Sequence, residues 1–170
     1  YKANRPPMPD ELRSQIDKVH AVIDALGLPL LSVPDVEADD VIGTLARAAT
    51  AHGMETLIVS GDKDLAQLVD SKVRMCDSMK DVVYDVEGVE AKFGVPPERI
   101  VDFLALVGDT SDNIPGVPKV GPKTAVRWLK EYGSLAQLVA QADGIPGKGG
   151  ENLRASLDQL PLSHQLATVK

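Results

Sequence analysis

The spacing of apolar residues changes partway along the chain. After Asp10, Leu12, Ile16, Val19, Ile23 and Leu26 recur every three or four positions, the signature of one helical face, and Gly27 is a stop signal. Leu28–Val33 is short, apolar and bounded by Pro34, which predicts a strand. Val41, Ile42, Leu45 and Ala49 restore the helical spacing between Ala38 and His52, and Gly53 ends it. Glu55–Ser60, with Thr56-Leu57-Ile58-Val59 at its centre, is a buried-strand run; a short helix through Leu68 and two further strands, Val73–Cys76 and Val82–Tyr84, follow. From Asp85 onward the alternation stops. Helices are predicted from the Asp85 cap to Phe93, from Pro96-Pro97 to about Val107, over Thr124–Tyr132, from the Ser134 cap to about Gln141, and across 151–159 and 163–169. Gly144–Gly150 reads as a loop, and no repeat or low-complexity tract is present. The expected fold class is α/β: a mostly parallel sheet with helices over residues 1–84, then a purely helical part over 85–170.

Composition changes this picture little. A chain of 170 residues that is 44% hydrophobic can build a core, and no apolar run approaches the roughly 18–20 residues of a membrane span. The single cysteine, Cys76, excludes an internal disulfide framework and fits a reducing compartment, so a cytoplasmic setting is expected. The first residue is Tyr1, which suggests a piece of a longer protein. A net charge of −7 argues at face value against nucleic acid. Its distribution reverses that argument. Residues 35–112 hold seven basic and seventeen acidic groups, whereas 113–130 hold Lys119, Lys123, Arg127 and Lys130 and no acid.

Seven carboxylates fall in three groups: Glu37, Asp39 and Asp40; Asp62 and Asp64; Asp109 and Asp112. The first two groups sit after predicted strands, and open α/β sheets bind ligands beyond the carboxyl ends of their strands. Brought together, such charges demand a hard divalent cation such as Mg²⁺, and the chain offers no Cys/His cluster for zinc. Each group alone has a plain structural explanation. Asp39, Asp40 and Asp62 suit helix starts, and Asp109 and Asp112 suit a turn. Their conjunction is what points to metal-assisted phosphoryl transfer, which needs such a supply of oxygen ligands. Trp128, the only tryptophan, is expected in the core.

The basic segment runs Ile114-Pro115-Gly116-Val117-Pro118-Lys119-Val120-Gly121-Pro122-Lys123-Thr124-Ala125. Its pattern is helix, glycine-bearing hairpin, helix. Glycines admit close backbone approach, helix-start N–H groups prefer an anion, and Lys119, Lys123 and Thr124 add charge and a hydroxyl. This describes a grip on the phosphate backbone that carries no base readout. The G-x-x-x-x-G-K-[ST] spacing of a nucleotide P-loop is absent.

Val36-Glu37-Ala38-Asp39-Asp40, Ser60-Gly61-Asp62-Lys63-Asp64 and Gly108-Asp109-Thr110-Ser111-Asp112-Asn113-Ile114-Pro115-Gly116-Val117 resemble, in order and spacing, the signature blocks of the 5′-nuclease family. The two ends, Tyr1-Lys2-Ala3-Asn4-Arg5 and Gln165-Leu166-Ala167-Thr168-Val169-Lys170, are most similar to the 5′→3′ exonuclease domains of bacterial DNA polymerases I. The resemblance implies a PIN-like (resolvase-like) core followed by a helix–hairpin–helix subdomain. It also implies hydrolysis of DNA at 5′ ends or flaps with two or more Mg²⁺ (or Mn²⁺) ions. Glu37, Asp39 and Asp40 would serve a first metal cluster, and Asp62, Asp64, Asp109 and Asp112 a second. Lys2 and Arg5 would lie at the foot of a helical arch, near the phosphate to be cleaved. Gly116, Lys119, Val120, Gly121, Lys123 and Thr124 would hold duplex DNA, with K⁺ bound by hairpin carbonyls. The partners implied are a DNA duplex with a 5′ end or flap and a polymerase portion of the same polypeptide. Family members carry an Asp on a first strand and another on a later strand ahead of the arch, so this chain is expected to lack those strands and ligands and to cleave poorly alone. Two other readings stay open: a non-catalytic DNA-binding fragment, and another Mg²⁺-dependent phosphotransfer domain that uses Asp62-Lys63-Asp64.

Overall fold

The computed structural model describes residues 2–4 and 6–170. Two short helices, α1 (Asp10–Arg13) and α2 (Ile16–Ala25), replace the single helix expected after Asp10. They part at Ser14-Gln15, where the Ser14 hydroxyl and the Gln15 amide both donate to the Glu11 carbonyl. Such local side-chain bonds compete with the helical ladder. The apolar face holds as a pattern, but Leu12, Val19 and Leu26 on it are exposed. Leu28–Val33 is not a strand. Pro29 within it and Pro34 after it each remove a ladder donor, and among the described residues no strand pairs with this segment.

Helix α3 (Ala38–Ala51) leads into the sheet. Strands β1 (Thr56–Val59) and β2 (Val73–Asp77) pair in parallel, with Thr56 beside Val73 and Val59 beside Cys76. Strand β3 (Val82–Tyr84) returns antiparallel on the far side of β2, with Met75 facing Tyr84. The order β1-β2-β3 places β2 at the centre, and its alternate residues Val73, Met75 and Asp77 are buried. These three strands fall where the sequence placed them, with one parallel and one antiparallel pair among the described residues.

The helical part follows as α4 (Val86–Phe93), α5 (Ile100–Val107), α6 (Pro122–Tyr132), α7 (Leu135–Ala140), α8 (Gly147–Ala155) and α9 (Leu160–Ala167). The expected caps form: Asp85 accepts from the Gly88 N–H and Ser134 from the Gln137 N–H. Helix α5 is apolar on nearly every side, and Ile100, Phe103, Leu104, Ala105 and Leu106 are all buried. A helix of that kind belongs at the centre of a core. It packs against α6, α7 and α9 and against the 3-10 helix Lys63–Leu68, so one apolar cluster runs from Ala46 to Val169. Trp128 lies in it, as expected.

The predicted loop over 144–150 is a helix from Gly147, and the helix predicted over 151–159 ends at Ala155. Packing, not propensity, selects glycine there: a Cβ on Gly150 would lie 2.0 Å from the Ile145 carbonyl oxygen. Arg154 Nη1 then ties α8 back to the carbonyls of Ala142 and Ile145.

A second close approach matters more for function. Where α5 ends, the chain crosses itself at Gly108 and Gly116. A Cβ on Gly116 would lie 2.3 Å from the carbonyl carbon and oxygen of Val107. Gly108 has φ +81°, in the region that favours glycine. The crossing closes the turn that carries Asp109 and Asp112, and Val117 N–H bonds to the Leu106 carbonyl at 2.8 Å. Replacing Gly116 by Ala forces the two backbone segments apart. We expect a loss of about 1–3 kcal/mol, read as a lower chemical-denaturation midpoint, together with weaker binding of any ligand held by Asp109 and Asp112.

Candidate functional site

The site begins where β1 ends. The Asp62 N–H donates to the Ser60 hydroxyl at 3.0 Å, and the Asp62 carboxylate accepts from the Asp64 N–H, also at 3.0 Å. Asp62 is therefore the cap of the 3-10 helix Lys63–Leu68, as its position suggested. That cap leaves Asp62 exposed and turns Asp64 inward beside buried Leu65 and Ala66.

The opposite wall is the turn after α5. Asp109 and Ile114 exchange both backbone hydrogen bonds, at 2.8 and 2.7 Å, and the Asp109 carboxylate accepts from the Ser111 N–H at 2.8 Å. The N-terminal residues brace the outside of the turn: the Lys2 N–H reaches the Asp112 carbonyl at 2.9 Å and the Asn4 amide reaches the Thr110 carbonyl at 2.7 Å. As a result Asp64, Asp109 and Asp112, all buried, each offer a carboxylate oxygen within 4.8 Å of the others. Residues more than forty positions apart in sequence thus meet in one cluster.

Its electrostatics are uneven. Burial, reinforced by the charges of Asp62, Asp109 and Asp112 and opposed by Lys63, pushes the Asp64 carboxyl up to about 6. At Asp109 burial is the largest influence and also acts upward. Hydrogen bonds from Lys63 and from the Ser111 and Asp112 N–H groups, with the Lys63 charge, outweigh it, and the carboxyl sits below its ordinary value. Lys63 itself is held above the usual lysine value, because its bond to Asp109 and the charges of Asp64, Asp109 and Asp62 overcome desolvation. Asp64 Oδ1 is buried without a hydrogen-bond partner. Buried carboxylate oxygens are ordinarily satisfied, and one that is not, beside two further carboxylates, fits a hard cation that takes oxygen ligands.

Glu37, Asp39 and Asp40 occupy the start of α3, with extended Glu37 as its N-cap residue. They follow an unpaired segment rather than a strand, which corrects the expectation for this group. They nevertheless reach the same place. One cleft of about 260 Å³ is lined by Glu37, Asp39, Asp40, Asp64 and Asp112, and a second of about 270 Å³ by Asp62, Lys63, Asp64, Asp109 and Asp112. Asp64 and Asp112 form the wall between them. Burial and the Asp62 charge push the Asp39 carboxyl up, against the pull of Lys2. Lys2 forms an ion pair with Glu37 Oε2, which brings it to the cleft. Arg5 lies outside the described residues.

Two contributors escape a sequence reading. Lys63 hydrogen-bonds Asp109 Oδ2, and its place between Asp62 and Asp64 was the available signal. The C-terminal segment Gln165–Lys170 lines the first cleft, and the Lys170 N–H donates to Asp40 Oδ1 at 2.8 Å. That segment is fastened by Arg47 to the Val169 carbonyl and by Gln67 to the Ala167 carbonyl and the Val169 N–H, each at 2.9 Å. Nothing local in the sequence announces this contact.

The basic hairpin lies on the other side of the Gly108–Gly116 crossing. Val120 N–H bonds the Val117 carbonyl at 3.0 Å, Lys119 adopts φ +63°, and Gly121 caps α6 with Pro122 at its first position. Ala125, Trp128 and Leu129 face the core, whereas Lys119, Lys123, Arg127 and Lys130 are exposed. Val120 is buried and Gly116, Gly121 and Thr124 are half-buried. The carbonyls of Gly116, Val117 and Pro118 already accept from Gln159, Val120 and Asn152, so a K⁺ ion there would have to share them.

A parallel strand pair ending at an acidic cleft, joined through one core to a helical hairpin with a basic face, defines a class of protein. Residues 1–94 match the model of the 5'-3' exonuclease N-terminal resolvase-like domain, and residues 95–170 that of the 5'-3' exonuclease C-terminal SAM fold. The chain belongs to the 5'-3' exonuclease family. Among its relatives, DNA polymerase I of Pseudomonas aeruginosa is 53% identical over 178 residues, covering 100% of this chain but 20% of that protein. The 5'-3' exonuclease of Buchnera aphidicola is 43% identical over 177 residues, covering 100% of this chain and 59% of that protein. The chain therefore spans less than two thirds of the length of these relatives. Among solved structures, T5 5'-exonuclease with bound divalent metal ions (zinc) superposes with a TM-score of 0.84 at 24% identity, over 98% of this chain and 63% of that one. The catalytic core of Rad2 in complex with DNA substrate gives 0.61 at 18% identity, over 95% and 57%. These two likenesses establish the shared fold. Among the described residues no helix is long and apolar enough to cross a membrane.

The raised Asp64 carboxyl makes a prediction for the metal-free protein. Its folded value of about 6 lies above the ordinary 3.8, so its contribution to stability is fully present below pH 3.8 and is lost as pH rises through about 6. Asp64→Asn removes that loss. In the presence of a chelator the variant is expected to melt higher than the parent at pH 7, and the gap is expected to close as pH falls below about 6. Thermal melts across pH check this; a gap independent of pH would contradict it.

Proposed function

We propose that this chain forms the nuclease portion of a divalent-metal-dependent 5′ nuclease that cleaves DNA at 5′ ends or flaps, beside a polymerase portion of the same polypeptide. The observation that carries the proposal is the meeting of Asp64, Asp109 and Asp112, with a buried oxygen of Asp64 left without a hydrogen bond. In this reading residues 1–84 supply the nuclease core and residues 85–170 the helical DNA-holding part.

Asp64, Asp109 and Asp112, with Asp62 at the rim, would hold one Mg²⁺ or Mn²⁺ ion, and Glu37, Asp39 and Asp40 would serve a neighbouring one across the wall formed by Asp64 and Asp112. Bound ions supply charge to the phosphoryl oxygens and acidify a water. The chain's own residues do the rest. The carboxylates fix position and do not serve as proton acceptors. Lys2, together with Arg5, offers cationic charge to the phosphate as negative charge builds on it. The hairpin holds the duplex through Lys119, Lys123, the Thr124 hydroxyl and the backbone at Gly116, Val120 and Gly121. Such contacts set register on the phosphates and give slight sequence preference. The basic hairpin favours this reading over a general phosphotransfer domain, which has no need of a duplex grip.

The test uses the intact protein and a 5′-flap duplex. Mg²⁺-dependent cleavage is expected, slowed by about a hundredfold or more in Asp64→Ala and in Asp109→Ala. Cleavage at the parental rate by both variants would overturn the assignment. The hairpin makes a separate prediction. Neutralising Lys119 and Lys123 together is expected to reduce the slope of log affinity against log salt by about 1.8 for two lost phosphate contacts, with little change between DNA sequences. An unchanged slope in a binding titration would remove the hairpin from the DNA interface.

A further inference from the structure

We propose that Lys63 is the built-in counter-ion of the carboxylate cluster, a charge that a divalent cation has to displace on entering. The inference rests on the metal-centre reading above and adds a role for a residue that is not a ligand.

Three buried carboxylates within 4.8 Å of one another repel strongly unless a positive charge stands among them. The Lys63 ammonium is that charge. It hydrogen-bonds Asp109 Oδ2 and lies 3.7 Å from Asp64 Oδ1, so it touches two of the three acids and stands in the cleft they line. The backbone of Lys63 is fixed, because it is the first residue of the 3-10 helix capped by Asp62. The side chain is not: it is 40% exposed and reaches the acids from the solvent side on a flexible four-carbon stem. It can therefore leave without opening a cavity and without moving a ligand's backbone.

The fit is good enough to neutralise and too poor to lock. An ammonium has three directed donors, and here Asp64 Oδ1 still lacks a hydrogen bond. A divalent cation takes carboxylate oxygens directly as ligands, including one that lacks a hydrogen bond, and carries twice the charge. Exchange therefore adds one unit of positive charge to the cluster rather than two. It leaves the ammonium, still tethered between Asp62 and Asp64, at the mouth of the cleft where phosphate oxygens would arrive. The lysine thus stabilises the metal-free fold and weakens metal binding, two effects with opposite signs.

The experiment is Mn²⁺ binding to the intact protein, followed by electron paramagnetic resonance, for the parent, Lys63→Met and Asp109→Ala. Lys63→Met is expected to bind Mn²⁺ about tenfold or more tightly than the parent, to melt lower without metal, and to gain more in melting temperature on saturation. In the parent, the Lys63 Nζ resonance is expected to shift on Mg²⁺ titration with the same midpoint as metal binding. A merely structural lysine would show neither effect, and the resonance test stands even if Lys63→Met fails to fold. Equal or weaker Mn²⁺ affinity in a folded Lys63→Met, or a Lys63 resonance unmoved by Mg²⁺, overturns the proposal while leaving the metal centre intact. Mn²⁺ binding that survives Asp109→Ala unchanged overturns both.

Discussion

Everything in this structure turns on holding like charges together. Asp64, Asp109 and Asp112 are buried within 4.8 Å of one another, an arrangement that electrostatics opposes at every step of folding. Apolar packing supplies the opposing force. Leu65 and Ala66 anchor the 3-10 helix behind Asp64, and Leu104, Ala105 and Leu106 anchor the end of α5 ahead of Asp109. The Gly108–Gly116 crossing then leaves the turn between them no room to relax. Each acid is thus delivered by an element whose other face is core, so parting the charges would mean unpacking the protein. Lys63 offsets part of the remaining repulsion from within the cluster.

The same crossing explains how one acidic chain presents two opposite fields. Gly116 ends the acidic turn and begins the basic hairpin, so the two fields are joined by a rigid backbone contact rather than by a linker. A phosphate backbone held by Lys119 and Lys123 would be placed at a fixed offset from the carboxylate cleft. Net charge, an average over both fields, says nothing about either. The acidic field suits cations, and the exposed row Lys119, Lys123, Arg127 and Lys130 suits polyanions.

What could be read from sequence follows the range of the interaction concerned. The three strands, the Asp85 and Ser134 caps and the central place of α5 were legible because each is written in residues a few positions apart. The acidic motifs were legible as chemistry, and their convergence was inferred from strand ends and resemblance. Leu28–Val33 failed because an apolar run states a wish to be covered, and a strand also needs a partner edge. Helix α8 failed because glycine's propensity is a local quantity, whereas Gly150 is there for a carbonyl that approaches from Ile145. The contact of Lys170 with Asp40, across 130 positions, has no local signature at all. The carboxylate cluster was therefore readable in its residue types and unreadable in the contacts that brace it.

Asp64 shows why these contacts matter. Its carboxyl is the one pushed furthest up, to about 6, and one of its oxygens has no hydrogen bond. A chain shaped for stability alone would place an amide or an apolar residue at this position. Asp40 offers the contrast: it sits on the same cleft but is satisfied by the Lys170 N–H, and it is half-buried rather than buried. Asp64 thus combines a raised carboxyl with an unsatisfied buried oxygen on the wall between the two clefts, where an incoming cation would relieve both. A destabilised group in an otherwise well-packed core is how a functional requirement becomes visible in structure. Under the proposed function, Asp64 is the carboxylate whose replacement by Asn should stabilise the metal-free protein at neutral pH and cost it metal.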